Sequence, residues 1–269
     1  MRRWFALALV VFAATIAWLA VRDYRRGYHS THGSQVVHFA LHSTLVGRKL
    51  DEILVTAPGG GRGRFLLVWL HGRSAPPSSS LSDSFFDALR RLGRRAPDVL
   101  LANGGDHSYF HDRRDRRWGT QILSRAIPAA LARAHADVRR IAIGGISMGG
   151  FGALDLARLA PRRFCAVGGH SAALWFHGAD TPAGAFDDAA DFFRHDVIAF
   201  ARSHSPYRSP IWVDVGTKDP FRDADTTLAR ELRADGARLT FHVWPGGHGN
   251  GYWRPHLRRY LSFYAKSCA

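Results

Sequence analysis

Apolar positions along the chain fall into three patterns, and each predicts a different kind of element. The first is alternation. Gln35–Ser43 places Val37, Phe39 and Leu41 on one side, and Arg48–Thr56 carries Leu50, Ile53, Leu54 and Val55, so both read as strands. The second is the short, largely apolar strand-like run, continuous at residues 65–70 (F-L-L-V-W-L) and found also at 99–102, 138–143, 164–169, 211–215 and 239–244. Such runs suit central strands covered on both faces. The third is the helical period, at residues 81–92, 118–134, 153–159, 226–235 and 252–266. Pro128 is expected to bend the second of these helices, while Pro161 and Gly236 stop two others. Residues 185–202 form a further helical stretch, broken near His195 and Asp196, and residues 174–202 as a whole read as a cap or lid. Strands and helices in this order predict one α/β domain around a mostly parallel sheet.

The N-terminus departs from these patterns. Arg2 and Arg3 precede an uncharged apolar run from residue 4 to residue 21, and Arg22, Asp23, Arg25 and Arg26 follow it. The run lies near the lower length limit of a membrane span and is long for a signal-peptide core, with no clean small-residue cleavage site after it. Residues 1–23 are therefore read as an uncleaved signal-anchor helix in preference to a cleaved signal peptide, residues 24–34 as a polar linker, and 35–269 as the catalytic domain. Either reading of the leader puts that domain outside the cytoplasm, held at a membrane or secreted.

The chemistry is concentrated where strands end. Gly145-Ile146-Ser147-Met148-Gly149 lies between an apolar strand and a helical pattern. G-x-S-x-G in that context forms a sharp turn that lifts the serine hydroxyl above the sheet, with the Met148 N–H at a helix N-terminus. Without its context the pattern is weak, since a Gly-rich nucleotide-binding turn can carry it. Upstream, the run at 65–70 ends in His71-Gly72-Arg73, where the Arg73 N–H is placed as second oxyanion donor and Gly72 allows close approach. The His71 side chain is read as structural. Downstream, Asp219 sits just past the strand at 211–215 and His248 sits on the loop Pro245-Gly246-Gly247-His248-Gly249-Asn250. Asp214 is the rival acid, but alternation inside its strand turns it away from the His248 loop. His242 and His256 are read as structural. Tyr109 and Trp118 on the loop at 107–118, with Ser171 and Trp175, are placed around the substrate.

The order Ser147, Asp219, His248 is nucleophile, acid, base, the chain order of α/β-hydrolases. The segments V-W-L-H-G, G-I-S-M-G-G-F-G-A, V-D-V-G-T-K-D-P-F and W-P-G-G-H-G-N-G-Y-W resemble the esterase D branch of that superfamily, over residues 35–264. That branch includes S-formylglutathione hydrolases, feruloyl and enterochelin esterases and mycolyltransferases. The resemblance implies an α/β-hydrolase fold, with Ser147 as nucleophile, His248 as general base, Asp219 as its orienting acid, and Met148 and Arg73 as oxyanion donors. It implies a small-molecule, lipid or polysaccharide ester as substrate and no cofactor. The apolar N-terminus departs from cytosolic S-formylglutathione hydrolases. An acyltransferase using the same acyl-enzyme, and a silent binding protein on the same fold, are the alternatives.

Composition changes this picture little. The net charge of +15 comes from 37 Lys and Arg against 22 Asp and Glu. A basic surface favours anionic partners such as membranes or cell-wall polymers. The densest basic run, Arg113, Arg114, Arg116 and Arg117, has no nucleic-acid motif beside it, so no nucleic-acid partner is expected. The two cysteines, Cys165 and Cys268, have no metal-ligand spacing, and no metal is expected. One falls in a predicted buried strand and the other at the C-terminus, so they are expected to stay unpaired.

Overall fold

The computed structural model of the protein describes residues 27–59, 63–203 and 207–269, so the anchor helix expected at 1–23 lies outside the described residues. The unbroken run at 65–70 becomes strand β3 (Leu66–Leu70) in the chain order β1 (Gln35–Ser43), β2 (Arg48–Thr56), β3, β4 (Asp98–Ala102), β5 (Ile141–Ile146), β6 (Ala166–His170), β7 (Ile211–Gly216) and β8 (Leu239–Trp244). They form one eight-stranded sheet in the spatial order β1-β2-β4-β3-β5-β6-β7-β8. The pairs β1–β2 and β2–β4 are antiparallel, and all later pairs are parallel.

Two helical layers cover the sheet, and β3 supplies both interfaces. Leu66, Val68 and Leu70 face one core, whereas Leu67 and Trp69 face the other. The first core takes α3 (Ile127–Ala134), α4 (Met148–Leu159) and α7 (Arg222–Ala234). The second takes α1 (Asp83–Leu92) and the closing helix α8 (Asn250–Ser267). β1 is one of the two edge strands, and its alternation is only partly used: Phe39 and Leu41 pack on the first core while Val37 stays exposed.

Three sequence expectations change. The single helix expected at 118–134 is α2 (Trp118–Gln121), a π-turn at Ile122–Ala126, and α3. Pro128 has no N–H for the carbonyl four residues back and its ring crowds that turn, so the ladder widens just ahead of it. The stretch at 185–202 divides into α5 (Ala189–Arg194) and α6 (Val197–Ser203) around His195-Asp196, as its polar break suggests. The cysteines expected to be free form the disulfide Cys165–Cys268, with Cα atoms 5.3 Å apart. The reason is the length of α8. Eighteen residues span about 27 Å of helix, enough to run from the carboxyl ends of the strands back to the start of β6.

Candidate active site

Ser147 lies between β5 and α4 at φ 55° and ψ −118°, a conformation non-glycine residues rarely hold. The flanking glycines make the turn possible. A Cβ on Gly149 would fall 2.1 Å from the Leu70 carbonyl oxygen, and one on Gly145 would fall 2.6 Å from the Gly149 backbone. β3, β5 and α4 therefore approach as closely as backbone allows. As the first residue of α4, Met148 has an N–H without an intrahelical acceptor.

The opposite wall is the turn after β3. A Cβ on Gly72 would lie 3.7 Å from the Ser147 Cβ, which puts this backbone beside the nucleophile position. His71 holds the turn. The Gly104 N–H donates to its Nε2 (3.1 Å), so Nδ1 carries the proton and donates to the Gly72 carbonyl at 2.9 Å. Burial pushes the His71 pKa down and keeps the ring neutral in that tautomer. The structural reading of this histidine agrees with its contacts.

Asp219 and His248, the expected acid and base, come from the loops after β7 and β8, which are laced together. The Thr217 N–H donates to the Trp244 carbonyl (2.9 Å) and the Lys218 N–H to the Gly246 carbonyl (2.8 Å). Asp219 Oδ2 accepts from His248 Nδ1 at 2.9 Å, and His248 Nε2 lies 2.9 Å from Ser147 Oγ. Burial raises the Asp219 pKa, but hydrogen bonds from His248, the Phe221 N–H (2.9 Å) and Ser171 outweigh it, so the carboxyl sits below its ordinary value and is ionised. The His248 ring stays partly open to solvent, between the edges of Phe221 and Trp253.

Asp214 points to the other face of the sheet, as alternation requires. It accepts from Trp212 Nε1 (2.6 Å), His170 Nδ1 (2.6 Å), Tyr252 Oη (2.7 Å) and Tyr260 Oη (2.7 Å). His170 Nε2 takes a further bond from Tyr264 Oη at 2.9 Å. This buried network ties α8 under the sheet and does not reach Ser147.

A cavity of about 520 Å³ opens over Ser147 and His248, and Gly72, Arg73, Tyr109, Trp175 and Phe221 line it. Two residues placed there from sequence are elsewhere. Trp118 is buried against Val46 and Leu50 and backs Gly105, because the loop at 107–118 folds down onto β2 before α2 begins. Ser171 is fully buried behind the site at φ 48°, where its Oγ accepts from Trp253 Nε1 at 3.1 Å. Sequence reasoning missed Phe221 and Trp253. Both stand inside the segments D-P-F and G-Y-W that flank the acid and the base.

The lid at 174–202 is fastened to the Tyr109 loop by polar contacts. His111 Nε2 donates to Asp191 Oδ2 (3.1 Å), and Arg113 grips Asp187 through Nε and Nη2 (2.8 and 2.7 Å). Arg114 pairs with Asp188 and Arg117 with Asp112, so the densest basic run is met by acids. His111, Asp191 and His195 are close enough to share a metal ion. Arg194 already occupies Asp191 Oδ1 (3.0 Å), which suits a hydrogen-bonded latch, and among the described residues the His111 Nδ1 has no partner.

This arrangement is a hydroxyl beside a histidine that a carboxylate orients, with the Met148 N–H at the helix start and the Gly72 backbone on the opposite wall. Residues 93–264 match the family model Esterase, described as "Putative esterase". The chain belongs to this esterase family. No curated protein matches the chain. Among solved structures, this esterase resembles a ferulic acid esterase at 21% identity and TM-score 0.75, covering 88% of this chain and 98% of that one. It resembles the S-formylglutathione hydrolase of Agrobacterium tumefaciens at 15% identity and TM-score 0.74, covering 90% and 98%. It also resembles MPT51 of Mycobacterium tuberculosis at 19% identity and TM-score 0.67, covering 87% and 99%. Together these give this esterase the α/β-hydrolase fold. Among the described residues no helix is long and apolar enough to cross a membrane.

Proposed function

We propose that this esterase is a serine carboxylesterase that works through an acyl-enzyme on Ser147. The observation that carries the reading is the hydrogen-bonded line Asp219–His248–Ser147, two contacts of 2.9 Å, on a strained serine turn. His248 Nε2 takes the Oγ proton as Oγ attacks the ester carbonyl carbon. Asp219 holds the Nδ1–H tautomer and stabilises the imidazolium. The Met148 and Arg73 N–H groups receive the oxyanion, and one such donor is worth about 3 kcal/mol of barrier. The imidazolium then protonates the departing alkoxide. Water repeats the sequence and frees the acid.

The test is hydrolysis of p-nitrophenyl esters, from acetate to palmitate, by the full-length protein and its Ser147→Ala variant. The variant is expected to lose at least ~10³-fold in kcat, and the chain-length optimum sizes the acyl pocket. Equal rates in both proteins would sink the assignment.

We propose further that the catalytic domain lies outside the cytoplasm. The Cys165–Cys268 disulfide supports this, since such bonds persist in oxidising compartments, and so does the uncharged run at residues 4–21. Alkaline phosphatase fused after Ala269 should be active in a bacterial host; an inactive fusion would contradict the placement.

A further inference from the structure

The cavity over Ser147 does not end at the triad. A second cavity of about 650 Å³ adjoins it, and Ser79 and Asn250 line both. Each is large enough for a small-molecule ligand. The two ends differ in chemistry. Near Ser147 the walls are aromatic, with Tyr109, Trp175 and Phe221, whereas the far cavity presents His38, Ser78 and Arg254.

Among the described residues, no aspartate or glutamate lines either cavity, and their arginines are Arg73 and Arg254. Arg90, Arg91, Arg113, Arg114, Arg117, Arg140 and Arg158 all meet carboxylates. Among the described residues, Arg73 and Arg254 meet none. An unpaired guanidinium at the end of a groove offers a planar fork of donors that matches a carboxylate, sulfate or phosphate. The net charge of +15 adds a field that draws anions in.

We propose that this esterase acts on esters joining a compact apolar moiety, seated by Tyr109, Trp175 and Phe221, to an extended moiety whose anionic group is bound by Arg254. The proposal rests on the serine-esterase reading and names the substrate class for it. No step of the chemistry changes, because Arg254 binds the substrate away from the reacting atoms.

The test uses the full-length protein and esters of phenylacetic acid. One set carries plain alkyl alcohols, and the other carries ω-carboxyalkyl alcohols of matched length. A reversed set, phenethyl monoesters of dicarboxylic acids, asks whether the charged end belongs to the acyl or the alcohol side. In one orientation the anionic esters should have kcat/KM about tenfold above their neutral twins, expressed in KM, the size expected of one charge-assisted hydrogen bond. Arg254→Ala should bring that ratio to about one, Arg254→Lys should keep part of it, and added salt should erode it. A ratio near one in both orientations, or a ratio that survives Arg254→Ala, would overturn the proposal while leaving the esterase intact. If no ester is cleaved, the esterase reading fails. The groove is then judged by calorimetric binding of the same esters to the Ser147→Ala protein. Anionic esters that bind no tighter than neutral ones overturn it there too.

Discussion

Asp214 and Asp219 belong to one strand and its exit loop, yet they do different work. Asp219 faces His248 and has solvent-side chemistry to support; Asp214 faces four donors under the sheet. Asp219→Asn should lower kcat by ~10³–10⁴-fold, because the amide no longer fixes the productive tautomer, with the melting temperature nearly unchanged. Asp214→Asn should instead cost about 3 kcal/mol of stability by breaking a buried charged network, with kcat per folded molecule largely kept. Unfolding and single-turnover measurements on both variants separate the two roles. The opposite outcome, Asp214→Asn inactive but stable, would reverse the assignment. A third buried carboxyl, Glu52 on β2, accepts from the Asn103 N–H at 2.8 Å while its Oε1 has no partner among the described residues. Burial pushes its pKa from 4.5 up to about 8. Between those values the unfolded chain has released the proton and the native protein keeps it, so stability falls as pH rises from 4.5 to about 8. At 1.36 kcal/mol per pH unit the loss approaches about 5 kcal/mol. Glu52→Gln imitates the protonated acid and should flatten that slope, read as a smaller drop in melting temperature between the two ends of the range.

At the scale of elements, the hydrophobic pattern located the pieces well, and β1, β2 and β8 keep their predicted bounds. What it could not supply was direction in three dimensions. Trp118 and Ser171 sit in segments that reach the site, but one side chain turns down onto β2 and the other lies behind Asp219. Phe221 and Trp253 were overlooked because an aromatic residue beside a triad member reads the same as one in a core until the loops are placed. That Ser147, Asp219 and His248 come together was legible because each needs only a strand end and a particular residue type. Glycine in β5 and β6 had a meaning hidden from sequence: Gly144 and Gly168 are partners in register, and a Cβ on either would fall 1.8 Å from Tyr264 Oη. The flat patch they make is the seat of α8. That helix is pinned at its far end by the Cys165–Cys268 disulfide, which closes a loop of 103 residues. Replacing both cysteines by serine should cost ~2–5 kcal/mol and lower the melting temperature by on the order of ten degrees. Since α8 starts at Asn250, next to the His248 loop, activity should fade before the β-sheet signal on heating. Loss of both signals together, at an unaltered temperature, would mean the bond does not steady the helix.

For the whole molecule, the site is a gathering of loops at the carboxyl ends of β3, β5, β7 and β8, roofed by the lid at 174–202. The sheet fixes the floor, and the contacts of His111, Arg113 and Arg114 with lid acids fix the roof. Arginines around the lid are matched by carboxylates, whereas Arg73 and Arg254, which line the two cavities, meet none among the described residues. Specificity in such a molecule lies along the groove, and reactivity lies in the turn at Ser147.

His248 precedes only the last helix of the chain, whereas Ser147 lies near its middle. A ribosome finishes β3, β5 and the serine turn long before it delivers the base. An unfinished or prematurely terminated chain therefore carries a strained serine with nothing to activate it. On the proposed mechanism, hydrolytic power waits for His248 and the helix after it, and a cut ahead of His248 would take the base, the Asn250 and Trp253 wall of the pocket and the core side of α8 together.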